Sequence, residues 1–258
     1  WIIFVNKLNK KELENLESTF TRIQKNVEDG IKKLNITPPI RVAKVWKRNQ
    51  GGGGKSISIT GDTIEKAAVN YSSISGKKLP DSSIALKIKS TSNKFRAMGV
   101  SAISHPMNPF CPTSHMNVRI FIELGKNNII ENWWIGGGFD LTPFFPTKEE
   151  SARWHSNAKK CVDTFGSKYY KKFAKNCDDY FYLPHRKEKR GIGGIFFDQL
   201  QHQNIEESLV MLEEISKCYI ETYAELVNNN KKHKFTAEDR EFQLYRRGRY
   251  VEFNLLFD

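Results

Sequence analysis

The segment His115-Met116-Asn117-Val118-Arg119-Ile120-Phe121-Ile122-Glu123 sets an imidazole, an amide and a guanidinium at every second position. In an extended strand alternate side chains face opposite ways, so His115, Asn117 and Arg119 share one face and Met116, Val118, Ile120 and Ile122 the other. The polar row can donate to carboxylates, Arg119 bidentately. An ordinary half-exposed strand shows the same alternation. A second run, Tyr250 to Phe257, sets Val251, Phe253 and Leu255 opposite Tyr250, Glu252 and Asn254, and the basic cluster Arg246-Arg247-Gly248-Arg249 precedes it. A solvated charge run accounts for that cluster equally well. Two such polar faces, brought together across a sheet, would line one cleft.

Trp133-Trp134-Ile135-Gly136-Gly137-Gly138-Phe139-Asp140-Leu141-Thr142-Pro143 carries three consecutive glycines. Glycines accumulate where a backbone bends or meets a ligand closely, and Asp140 directly follows them. A glycine bulge with a turn-capping Asp is the alternative. The pattern is neither GxGxxG nor a P-loop, so nucleotide binding is disfavoured. His105, His115, His155, His185 and His202 show no HxH or HExxH spacing, which makes metal binding a minority reading. Cys111, Cys161, Cys177 and Cys218 form no CxxC pair and read as reduced thiols rather than a zinc site or disulfide framework.

Elements must hold these groups in place. Leu13, Leu16, Phe20, Ile23, Val27, Ile31 and Leu34 recur at three- and four-residue steps, predicting an amphipathic helix that Thr37-Pro38-Pro39 ends. Val42–Trp46 and Ile57–Ile59 predict two strands of a hairpin across Gly51–Gly54. Residues 70–92, rich in Ser, Lys and Gly, predict a loop. An extended segment from Phe95 to Ser104 leads into turn chemistry at His105-Pro106-Met107-Asn108-Pro109. The apolar block Ile129 to Ile135 is expected to break at the glycines. Trp154, Ala158, Cys161 and Phe165 mark one helix; Tyr170, Phe173 and Cys177 mark a second. Gly191 to Phe197 predicts a buried strand, Ile205 to Leu226 a long helix, and Asn228 to Lys234 an exposed loop. Strands first and helices later, with strands joined by turns, predict an α+β fold around a large, mostly antiparallel sheet.

The 258 residues are enough for one domain, residues 1–258. A net charge of +12 favours an anionic partner: nucleic acid, an anionic membrane or a polycarboxylate. The aromatics form no stacking platform of the RNP kind, which argues against nucleic acid. The early apolar run Trp1–Val5 is too short to span a membrane. The opening at Trp1 and the stop at Asp258 inside an apolar run suggest a piece of a longer gene product.

Gly99-Val100-Ser101 through His105-Pro106 and Pro112 to Arg119, then Trp133 to Pro143, resemble oxygen-dependent coproporphyrinogen III oxidase. So do Cys177-Asp178-Asp179-Tyr180-Phe181-Tyr182 with His185-Arg186, Arg190 to Asp198, and Gln243 to Asn254. The likeness runs in order from about Gly51 to Asp258. It implies a homodimer whose sheet is flanked on both faces by α-helices and holds a porphyrinogen in a cleft. It implies Ser101, Asn117, Val118, Arg119 and Arg249 as substrate-binding residues, His115 as proton donor, and Asp140 as the acid that engages pyrrole nitrogens. Arg119 would anchor a propionate. The reaction implied is oxidative decarboxylation of two propionates to vinyl groups, with molecular oxygen as co-substrate and no organic cofactor. Some members are described with a divalent metal on four histidines, which map to His105, His115, His155 and His185. The family continues past Asp258 with a segment carrying a Gly-Gly-Arg contact and much of the dimer contact, so the chain reads as truncated at its C-terminal end. The compartment expected is cytoplasmic, with mitochondrial as the alternative. The rival readings are a protein that holds porphyrinogen or haem without converting it, and a basic nucleic-acid-binding module.

Overall fold

The structure, a computed structural model, describes residues 7–77 and 94–257. Helix α1 (Lys10–Leu34) starts at a capping box in which Asn9 and Glu12 satisfy each other's backbone N–H groups. Its apolar stripe from Leu16 to Leu34 is buried, as the three- and four-residue spacing requires. Then come β1 (Ile40–Lys47), β2 (Gly52–Thr60), β3 (Ile64–Gly76), β4 (Lys94–Pro106), β5 (Thr113–Leu124) and β6 (Ile130–Thr142). Helices α2 (Lys148–Asp163) and α3 (Tyr169–Tyr180) follow, and a two-stranded ribbon, β7 (Tyr182–Leu183) with β8 (Glu188–Lys189). Strand β9 (Gly193–Leu200), α4 (Ile205–Asn230) and α5 (Ala237–Leu256) complete the chain.

The main sheet has seven strands in the order β1-β2-β3-β4-β5-β6-β9, every neighbouring pair antiparallel. Sequential strands pair directly, and β9 returns to the β6 edge after the α2–α3 excursion. One face is the core: Val100, Met116, Val118, Phe139 and Ile195 meet the buried rings of Trp154 on α2 and Tyr219 and Tyr223 on α4. Two tyrosines bring their own polar partners into that core: Tyr219 Oη pairs with Ser114 Oγ at 2.9 Å, and Tyr223 Oη donates to Pro112 O at 3.1 Å. Helix α5 lies on the other face at one end of the sheet. There Gln243 donates to Pro106 O at 3.0 Å, and the ring of Tyr250 meets His105 edge-on. The α+β reading with a large antiparallel sheet is what the structure shows.

Five local expectations are corrected. Residues 70–76, expected as loop, complete β3 because β2 and β4 pair with it on both sides; residues 78–92 of that stretch and the Trp1–Val5 run lie outside the described residues. His105 and Pro106 belong to β4, and the turn falls after them. The three glycines do not break the chain: β6 runs straight through them, held between β5 and β9. Asn228 to Asn230 form the last turn of α4, with Asn230 buried. Tyr250 to Leu256 is helical rather than extended. Thr236 and Asp239 form a capping box that starts α5, and Gln243, Tyr250 and Phe253 point inward at helical steps of seven and three. The alternation that suggested a strand is incidental, since Val251 and Leu255 face solvent.

Candidate active site

Along β5 burial alternates: Met116, Val118, Ile120 and Ile122 are buried in the core, and His115, Asn117 and Arg119 stand half-buried on the opposite face. The register of β5 against β6 sets His115 across from Asp140, Asn117 from Gly138 and Arg119 from Gly136. The carboxylate therefore shares the face of the polar row, and the two glycines leave the space beside it empty of side chains. A Cβ on Gly136 would stand 2.9 Å from Arg119 Nε and 2.6 Å from Asp198 Oδ1. At Gly138 φ is +147°, and a Cβ would come within 2.0 Å of Ile195 O on β9. Only glycine fits that approach.

Strand β9 bulges beside this point. Ile135 and Gly137 are two residues apart, while their partners Leu200 and Phe197 are three apart, and Gln199 takes φ +52°. The bulge lies at Asp198, whose Oδ1 pairs with Arg119 Nη2 at 3.1 Å.

Asp140 is 2% exposed and is held from two sides. Arg190 donates from Nη2 to both carboxylate oxygens, at 2.7 and 2.8 Å, and from Nε at 3.2 Å. His115 Nδ1 lies 3.0 Å from Oδ1. Burial works against ionisation of Asp140, but the Arg190 charge and the His115 hydrogen bond overcome it, and its pKa falls below the usual carboxylate value. An ionised carboxylate only accepts, so Nδ1 of His115 carries the proton and Nε2 is left to the cleft. Arg190 is itself sandwiched by aromatics, its guanidinium carbon 3.8 Å from the Phe181 ring centre, 4.6 Å from Tyr250 and 5.0 Å from Phe253.

Above this pair opens a hollow of about 110 Å³. Its floor is Gly137 and Gly138, its polar side His115, Asn117, Arg119 and Arg190, and its walls Tyr180, Phe181, Phe196 and Phe253. A cationic and hydrogen-bonding rim over flat aromatic walls suits a planar or cupped aromatic ligand that carries carboxylates.

The residues singled out in the sequence fare unequally. His115, Asn117 and Arg119 meet in the hollow, and Asp140 touches His115 from behind instead of lining it. Ser101 pairs in register with Asn117 on the same face. Val118 is fully buried on the core side, so only its backbone can contribute. Arg249 is outside the hollow, paired with Glu188 at 3.2 Å and Tyr245. The four histidines do not assemble a metal site. His105 bonds Thr113, His115 bonds Asp140, His155 lies between Ile192 O and Tyr170, and His185 bonds Glu252. Among the described residues no cluster of three or more His, Cys, Asp or Glu could hold an ion. The donor set does not fit a resident metal.

Sequence reasoning missed the role of Arg190 and of the aromatic walls. Arg190 looks like any other basic residue of a Lys/Arg-rich stretch, and its only sequence signal is the Gly191-Ile192-Gly193-Gly194 run that follows it. No described helix is long and apolar enough to cross a membrane.

Residues 15–258 match the family model for coproporphyrinogen III oxidase. With that match over nearly the whole chain, and the polar row, Asp140 and the triple glycine gathered at one cleft, the chain belongs to the coproporphyrinogen III oxidase family, enzymes of porphyrin and haem biosynthesis that act on a porphyrinogen.

Proposed function

We propose that this protein is the oxygen-dependent coproporphyrinogen III oxidase, converting two propionates of coproporphyrinogen III to vinyl groups to give protoporphyrinogen IX. The observation that carries the reading is the hollow itself, where Arg119, Asn117 and His115 face aromatic walls across a glycine floor. Each step removes carbon dioxide and a hydride equivalent from a propionate; oxygen accepts the hydride and, with one proton, leaves as hydrogen peroxide. The porphyrinogen is electron-rich enough to meet oxygen directly, so the protein's part is binding and proton handling.

Arg119 anchors a propionate through charge-assisted hydrogen bonds, with Asp198 holding the guanidinium in place. His115, its Nδ1 proton fixed by Asp140, moves protons at Nε2. Asp140 acts through His115 and Arg190: its oxygens are occupied and buried, so it serves as a positioning group and not as a direct contact to the pyrrole nitrogens. Binding at the sheet face and a homodimeric assembly complete the reading.

Anaerobic and aerobic incubation with coproporphyrinogen III tests it, protoporphyrin fluorescence being read after oxidation. Turnover in air alone is expected. Arg119→Ala should raise KM about 10- to 150-fold, the loss of one charge-assisted hydrogen bond, and His115→Ala should lower kcat about 10²- to 10⁴-fold. Tight binding of porphyrinogen without turnover in air would replace the enzyme with a carrier.

A further inference from the structure

Outside the cleft, the side-chain cluster with unused chemistry lies between α2 and α4, where Cys161 and Cys218 face each other. Cys161 Sγ donates to Glu214 O at 3.5 Å, and Cys218 Sγ donates to Asn157 O at 3.5 Å. Glu214 is four residues before Cys218, and Asn157 four before Cys161. In a helix the carbonyl four residues back accepts the N–H of the residue in question. Each sulfur therefore rests against the backbone turn that carries the other cysteine. This reciprocity places the two thiols on facing turns of α2 and α4. Both cysteines are partly exposed, whereas Cys111 and Cys177 are fully buried.

We propose that Cys161 and Cys218 form a dithiol modification site that hydroperoxides oxidise to an intramolecular disulfide linking α2 to α4. Either thiol can attack first, and Cys218 is the one whose thiolate the pair favours. The hydrogen bond from Cys161 lowers its pKa, outweighing burial, with a further hydrogen bond from Thr222 acting the same way. Cys161 is correspondingly pushed up, first by that same hydrogen bond and then by burial. Cys111 is pushed up to about 12 by burial, and Cys177 is also raised, chiefly by burial; both stay inert thiols.

The chemistry balances in two steps. The Cys218 thiolate attacks the peroxide, the O–O bond breaks, and one oxygen stays on sulfur as a sulfenic acid while the other leaves with a proton as water or an alcohol. The Cys161 sulfur then attacks Cys218, the S–O bond breaks, and the oxygen leaves as water with the Cys161 proton. Together the two sulfurs lose two electrons, which reduce the peroxide. The site stands apart from the cleft and does not depend on the proposed turnover. The cross-link fastens α2, whose His155 reaches Ile192 O two residues from Arg190.

The test is a thiol count and peptide map of the folded full chain after a few equivalents of hydrogen peroxide, under non-reducing conditions. The expected result is the loss of two of the four thiols, a mass loss equal to two hydrogens, and a linked peptide pair carrying Cys161 and Cys218 that dithiothreitol releases. Cys161→Ser should leave a sulfenic acid on Cys218 that dimedone traps. An independent probe of spacing is phenylarsine oxide, which should bind the native dithiol one to one. Four thiols surviving excess peroxide, or a linked pair other than this one, would overturn the proposal. The wild-type map decides alone if the serine variant does not fold.

Discussion

Replacing Arg190 by Met tests the structural centre of the cleft. The Arg190 and Asp140 side chains are each 2% exposed, and three contacts of 2.7–3.2 Å join them. Methionine keeps apolar bulk between Phe181, Tyr250 and Phe253 but removes the cation, so Asp140 keeps a buried charge with only the His115 bond to balance it. Breaking one partner out of a buried pair costs about 3–5 kcal/mol. For a chain of this size that lowers the thermal midpoint by roughly 6–20 °C. Asp140→Asn in the Arg190→Met background removes the stranded charge, so the double variant should regain at least about 1 kcal/mol over the single. Urea denaturation at constant pH measures both, reading shifts in midpoint at unchanged slope. The reasoning fails if Arg190→Met costs under about 1 kcal/mol, or if the double variant loses the sum of the two singles.

Gly138→Ala should cost at least about 2 kcal/mol, because the new Cβ meets Ile195 O and the backbone angle is strained for any L side chain; a urea midpoint matching wild type would refute the close approach between β6 and β9. His105 is half-buried, and its loss of solvent, together with the Arg247 charge, lowers its pKa to about 4. The unfolded chain takes up that proton near pH 6.5, so the stability His105 contributes is complete above that pH and drains as pH falls toward 4, by at most about 3 kcal/mol. His105→Gln should flatten this stretch of the stability–pH curve, and parallel curves for the two proteins would show that the imidazole is not responsible.

Local signals made part of this molecule readable. The α1 stripe survives because one helix face meets one core, and its periodicity needs no knowledge of the partner. The His115–Asn117–Arg119 row was equally legible, since Met116, Val118 and Ile120, alternating with them, are all apolar and buried on the opposite face. At β6 the glycines read as a break because glycine has little intrinsic strand preference; pairing with β5 and β9 on both sides overrides that, and no local signal reports it. Tyr250 to Leu256 misled for the opposite reason: a short apolar alternation fits a strand or a helix, and the capping pair Thr236 and Asp239 that settles the matter lies well upstream. Arg190 could not be found from sequence because what distinguishes it is a carboxylate 50 residues away, the Phe181 ring at the end of α3 and two rings of α5.

The bare main chain at the bottom of the cleft has an evolutionary corollary. Residues there carry nothing that mutation can trim, so every substitution adds atoms and narrows the space; there is no step in the widening direction. A relative adapting to a bulkier or differently decorated ring has to change the enclosing side chains, such as Tyr180, Phe196 and Asn254, and leave the base untouched. Variation in ligand preference should therefore collect on α3, β9 and α5, with the glycine stretch of β6 held constant beneath it.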